Sequence, residues 1–206
     1  MRRGCPRLFA IGFTGALVVC ASGGSSLAQT LPRGVTLRLN EEFYGFRANN
    51  AGDISQALSR FGPELGGERV PAVTRQELKW DYQLAGTNDV CRLQSAKVRL
   101  DITMVLPEWL DAESGPEPLQ ARWREFEEAV RKHEDGHVRL FIEGARDLLR
   151  RIQRVQAGTC ETVELEVDEQ GRISMEHFGE RQSQYDRDTR GGQTQGVCWA
   201  GPGRIC

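Results

Sequence analysis

Residues 119–156 read LQARWREFEEAVRKHEDGHVRLFIEGARDLLRRIQRVQ. This run holds no proline and two glycines, Gly136 and Gly144. Trp123, Phe126, Val130, His133, His137, Phe141, Leu148 and Ile152 recur at steps of three, four or seven, the repeat of one face of a helix. The spacing predicts one long amphipathic helix, or two with a bend at Gly144. Pro116 and Pro118 stand where a helix start tolerates them. Ala157-Gly158 follows the end, with Arg150, Arg151 and Arg154 near the negative pole of the helix dipole.

Inside this helix lies His133-Glu134-Asp135-Gly136-His137. Residues four apart share a face one turn apart, so both imidazoles can reach one Zn²⁺ at roughly 2.0–2.1 Å. Imidazole also suits copper, nickel and iron. Glu134, beside the first histidine, is placed to take a proton from a water that the metal activates and to return it to a leaving amine. The pattern therefore points to His133 and His137 as ligands, Glu134 as general base, and zinc as cofactor. A third ligand must come from elsewhere. The extended metzincin pattern would need a glycine at 140 and a histidine at 143, where the chain has Leu140 and Glu143. His177 is the remaining histidine, and Glu176 and Glu180 are carboxylate alternatives. Tyr185 offers either a hydrogen bond to a developing oxyanion or a packing surface.

Working outward, residues 29–40 read as a polar leader. Ile54, Leu58 and Phe61 have helical spacing, ended by Gly62-Pro63, and Gly66-Gly67 marks a turn. Leu78, Trp80, Tyr82 and Leu84 alternate with polar residues, as do Val98, Leu100, Ile102, Met104 and Leu106. Both runs predict half-buried strands, the second stopped by Pro107. With a short turn at Asn88-Asp89 between them, they are expected to pair antiparallel. Val163, Leu165 and Val167 alternate like a third strand, with a turn at Gln170-Gly171. Residues 174–189 read as a polar helix ended by Arg190-Gly191-Gly192.

The first 28 residues have the order of an export signal: Arg2, Arg3 and Arg7, an apolar run over 8–21, then Ser26-Leu27-Ala28 before a cleavage point at Gln29. The apolar run is short of the roughly 20 residues a membrane span needs. A rival cleavage that would leave Cys20 lipidated follows Val18-Val19, where a small residue is preferred. Removal of residues 1–28 leaves 178 residues carrying 24 basic and 29 acidic side chains, a net charge of −5. The cations are scattered among acids, which excludes a nucleic-acid footprint. Cys91, Cys160, Cys198 and Cys206 remain, an even number that fits an oxidising compartment. No Cys-x-x-Cys is present. Pairing Cys198 with Cys206 closes a short loop at little entropic cost, leaving Cys91 to pair with Cys160.

An ordered set of motifs runs through the chain: Phe61-Gly62-Pro63, Trp80-Asp81-Tyr82, Cys91, Leu106-Pro107-x-Trp109 and Trp123-x-x-Phe126. It continues with His133-Glu134-x-x-His137, Cys160, Tyr185-Asp186-x-x-Thr189 and Gln195-Gly196. In these residues the chain resembles a bacterial family of predicted secreted zinc-dependent proteases. The resemblance implies an exported metallopeptidase-like domain with bound zinc, and it too pairs Cys91 with Cys160. The family pattern places x-His-Gly after the Tyr-Asp-x-x-Thr run, where this chain has Arg190-Gly191-Gly192.

Together these readings give an α+β fold class: residues 29–206 form a single domain, a small antiparallel sheet packed on a long zincin-like helix and stapled by disulfides. The expected function is a periplasmic or secreted zinc-dependent hydrolase of peptides or proteins, with metal ligands His133, His137 and His177. The departure at Gly191 supports an alternative, a catalytically degenerate domain of the same scaffold that acts as a periplasmic binding or interaction module.

Overall fold

β5, Cys91–Trp109, is the strand on which the rest is built. Its Val98, Leu100, Ile102, Met104 and Leu106 are all buried, so every second side chain enters the core. The computed structural model describes residues 31–199. The signal at 1–28, Cys20 and Cys206 lie outside the described residues. The described residues fall within one compact unit.

The described chain runs β1 (Val35–Phe46), α1 (Ala51–Phe61), β2 (Glu64–Leu65), β3 (Glu68–Arg69), β4 (Val73–Gly86), β5, α2 (Glu117–Ile152) and α3 (Cys160–Thr189). β5 is the middle of a three-stranded sheet in the order β1-β5-β4. β4 pairs with it antiparallel, as its alternation and the short turn predict. β1 pairs with it parallel, so the sheet is mixed rather than antiparallel. Much of the supposed polar leader is this strand. Val35, Leu37 and Leu39 do alternate with polar residues, but β1 lies at a sheet edge and leaves most of its side chains in water. Pro107 does not stop β5. β4 reaches only to the Val73–Val105 pair, so one edge of β5 is open at Pro107, where a strand accommodates proline.

α1 begins where the Asn50 side chain accepts the N–H groups of Gly52 and Asp53, which satisfies two otherwise orphaned donors. Ile54 and Leu58 bury its inner face. β2 and β3 form a small hairpin turned by Gly66 and Gly67, both at positive φ.

α2 is one helix of 36 residues. Its Trp123 and Phe126 pack with Phe46, Trp109 and Trp199 in edge-on and tilted contacts, ring centroids 5.4–6.2 Å apart. The Trp109 indole donates to the Ala48 carbonyl and the Trp199 indole to that of Ala51. The cluster thereby ties the chain after β1 to β5 and to the C-terminal segment.

The predicted third strand is instead part of α3, a helix of 30 residues. Val163 and Val167 are buried, whereas Leu165 between them is 63% exposed. Residues four apart satisfy a strand and a helix alike. Phe178 and Ser174, buried farther along the same face, decide for the helix. α3 begins at Thr159, whose hydroxyl accepts the Thr162 N–H, and is tied to the start of β5 by the Cys91–Cys160 disulfide.

Gly144 is not a bend but a contact point. A Cβ there would overlap the Phe178 ring of α3, and one at Gly171 would overlap the Trp80 indole of β4. Gly144→Ala is expected to lower the melting temperature. Alanine gains about 1 kcal/mol of helix propensity, but overpacking against ring carbons costs about 1–3 kcal/mol, at the upper end for so close an approach. Thermal unfolding checks this, and an unchanged midpoint would mean the two helices are not so close.

Candidate metal centre

α2 and α3 meet where His133 and His137 face Asp186. One turn of α2 separates the two imidazoles, and their Nε2 atoms lie 3.3 Å apart. Asp186 Oδ1 is 3.4 Å from Nε2 of His133 and 3.0 Å from Nε2 of His137. Four-coordinate zinc with bonds of roughly 2.0–2.1 Å would separate its ligand atoms by roughly 3.3–3.4 Å. The three atoms therefore have the spacing of three ligands on one ion, and two imidazoles with one carboxylate are a donor set that suits zinc.

The ring nitrogens are assigned by their other partners. His137 Nδ1 meets Gln182 Oε1, and His133 Nδ1 meets Gln195 Oε1 at 3.0 Å. An amide oxygen only accepts, so each Nδ1 carries a proton, which leaves Nε2 as the atom a metal would take; without a metal, the His137 Nε2 can carry a second proton and donate it to Asp186. Gln195 in turn donates to the Tyr185 hydroxyl at 3.0 Å, and that hydroxyl donates to the His133 carbonyl at 3.2 Å. The Tyr185 ring stacks on His133 with planes 12° apart and meets His137 edge-on. Of its two predicted roles, the packing one matches this placement. Gly136 makes the stack possible, since a Cβ there would overlap Tyr185.

Glu134 is buried beside the first imidazole, and the Thr74 hydroxyl of β4 donates to its Oε2 at 2.6 Å. Burial raises its pKa above the ordinary carboxylate value. The Thr74 hydrogen bond and the histidines oppose that shift without cancelling it. A cavity of about 400 Å³ opens onto Glu134, both imidazoles and Asp186.

His177 is not brought to this cluster. It lies exposed on α3, as do Glu176 and Glu180, and Glu176 is engaged by Arg172. The third candidate donor in place is Asp186, in the Tyr185-Asp186-x-x-Thr189 motif, whose spacing alone gives it no role. The motif has a local logic. Thr189 Oγ1 donates to the Tyr185 carbonyl and accepts from Gly192 N–H, closing the helix just after Asp186. Gln182, Gln195 and Thr74 were also unassigned, and of these only Gln195 fell in a quoted motif. Asp186→Ala is expected to weaken zinc binding by more than the roughly 10–100-fold that loss of an outer partner costs, while His177→Ala leaves it unchanged. Competition titration with a chromogenic chelator separates the two variants, and the reverse ranking would reinstate His177.

The metal-free site also sets a pH dependence. Burial works against charge on His137, but hydrogen bonds to Asp186 and Gln182 and the nearby carboxylates raise its pKa above 6.5. That contribution is present below 6.5 and is lost as pH rises through the folded value. Burial raises Asp186, yet its hydrogen bonds to both histidines lower it well below 3.8. Its contribution is present above 3.8 and is lost as pH falls. The pair therefore stabilises the metal-free protein most between those two values. A metal must displace the His137 proton, so the rise in melting temperature on adding zinc is expected to be larger at about pH 7.5 than at about pH 5.5. An equal rise at both values would place the metal elsewhere.

An α+β domain in which a long helix presents two imidazoles to the carboxylate of a second helix defines this protein as a candidate metal-binding domain. The chain belongs to the family described as bacterial protein of unknown function (DUF922), matched over residues 41–193. No curated protein and no solved structure matches it. Among the described residues, no helix is long and apolar enough to cross a membrane.

Proposed function

We propose that this protein is an exported, zinc-dependent peptide hydrolase. The observation that carries the reading is the convergence of His133 Nε2, His137 Nε2 and Asp186 Oδ1 within 3.4 Å of one another, beside a buried glutamate and an open cavity. Three protein ligands with a position left over is the arrangement of catalytic zinc sites, whereas structural sites are closed by four. Zinc held there would polarise a peptide carbonyl and make water more acidic.

The chain's own residues supply the remaining parts. Glu134 takes a proton from the attacking water and delivers it to the amine nitrogen as the C–N bond breaks. Its raised pKa, caused chiefly by burial, brings it closer to the operating pH and so favours both halves of that transfer. Thr74 holds the carboxylate through Oε2, and Gln182 and Gln195 hold the imidazoles in one tautomer. Export is supported by the order of charge, apolar run and small residues at the N-terminus, and by the disulfide, which favours an oxidising compartment. Gly191 leaves the set of three complete, because Asp186 supplies the carboxylate.

The test is hydrolysis of a casein digest by residues 29–206, freed of metal with a chelator and then supplied with one equivalent of zinc. New cleavage products are expected only after zinc is restored. Tight binding of one zinc with no hydrolysis would instead favour the binding-module reading. Failure to bind zinc would overturn the hydrolase reading and point to a degenerate scaffold that serves as an interaction module.

A further inference from the structure

The cavity beside the cluster gathers its polar side chains at one end. Thr74 is committed to Glu134, Gln182 to His137, and Asp186 to both imidazoles. The rest of the wall is apolar, contributed mainly by Leu65, Val70, Val73, Val130, Phe141 and Val197. Among the described residues, no lysine or arginine lines it. Away from the cluster itself, a carboxylate or phosphate would meet no lysine or arginine among the described residues. An ammonium group would meet a carboxylate only at Glu134 and Asp186, beside the imidazoles, and bare apolar wall elsewhere. An apolar group loses nothing and is desolvated against branched and aromatic side chains, as in pockets that combine an apolar lining with a few fixed polar groups.

Two features of the rim agree. Leu65, beside the Gly66-Gly67 turn of the hairpin, lines the cavity yet is 54% exposed, an apolar side chain held at the mouth. Gly191 lines the cavity too, and a Cβ there would meet open space. At about 400 Å³ the cavity lies within the roughly 300–1,000 Å³ of ligand pockets and is far larger than an alanine methyl needs.

We propose that this cavity binds a bulky apolar side chain, of the phenylalanine or leucine class, from a peptide whose scissile bond then lies at the cluster. The substrate class is accordingly protein-derived peptide with a large apolar residue at the cut. Cell-wall stem peptides, built from alanine and charged diacid residues, do not fit. The cut rests on the hydrolase reading; the binding preference does not.

The experiment uses blocked hexapeptides that differ at one central position, phenylalanine, leucine, alanine, lysine or glutamate, together with a cell-wall stem tetrapeptide. Binding is measured by calorimetry on the metal-free protein, and cut positions are mapped by mass spectrometry on the zinc-loaded protein. The phenylalanine and leucine peptides are expected to bind at least about tenfold tighter than the others, the order expected from burying one large apolar side chain. Leu65→Asp, a substitution at an exposed hairpin position that leaves the core intact, is expected to lower that preference about tenfold with no change in melting temperature. Equal or undetectable binding across the series, or tighter binding of the stem tetrapeptide, overturns the proposal. Apolar preference in binding without any cut supports the pocket and sinks the hydrolase reading. Cuts without apolar preference do the reverse.

Discussion

Glu134→Gln is expected to lower peptide hydrolysis by roughly 10²–10⁴-fold, the range general acid–base catalysis contributes, while zinc content and melting temperature hold. Glutamine keeps the shape and can still accept the Thr74 hydrogen bond, which is 2.6 Å long in the native protein. What it loses is basicity. Stability is not expected to fall. A carboxyl group whose pKa burial has raised is worse off ionised in the folded state than in water, so a neutral replacement removes a penalty. The paired measurements are initial hydrolysis rate and calorimetric melting with metal analysis on the same preparation. If hydrolysis survived with the metal in place, Glu134 would be only a support for Thr74, and the proton would have to travel by another group.

Removing the Cys91–Cys160 bridge, as the double alanine variant, is expected to cost about 4 kcal/mol. The disulfide joins positions 69 residues apart, and the loop-entropy estimate for a ring of that size is about 4 kcal/mol. For a domain of this size that is a fall of roughly 8–16 °C in melting temperature. Cys91 is also buried at the start of β5, with Gly158 exchanging backbone hydrogen bonds with it, so the bridge reinforces a join that already exists. The metal site should outlast the loss. Cys160 begins α3 and Asp186 lies near its end, roughly 39 Å away at the helical rise. Zinc content below the new melting point is therefore expected to be unchanged. A melting temperature equal to that of the native protein would mean the bridge does not close in the folded chain.

The elements legible in the sequence were those with an unambiguous period. α2 could be read because its apolar residues keep a helical repeat across 36 residues. β4 and β5 could be read because their alternation is long. Where two periods coincide, reading failed. Val163 and Val167, four apart, fitted a strand only because Leu165 was counted as inward-facing, and in the folded chain it faces solvent. β1 was overlooked because an edge strand has little to bury and keeps charged side chains. Its parallel pairing joins Val35 to Val98 across 62 intervening residues, and no local pattern records such a contact. Pro107 was read as a stop because a proline's missing donor matters only where a partner strand stands opposite, which depends on where β4 ends.

The same division runs through the site. That His133, Glu134 and His137 lie together on one stretch of helix is legible in the sequence alone, because a four-residue step places two rings on one face whatever the rest of the chain does. The candidate third donor depends on tertiary structure. Asp186 and His177 are both on α3, nine positions apart and so two and a half turns along the helix. Which of them meets α2 depends on how far α3 slides along its neighbour and which face it turns inward. That register is set by contacts distant in sequence: Gly144 admitting Phe178, Gly136 admitting Tyr185, and Gly171 admitting Trp80. A ligand pair within one helical turn is a local property of the backbone. A ligand contributed from another helix exists only once the two helices have packed.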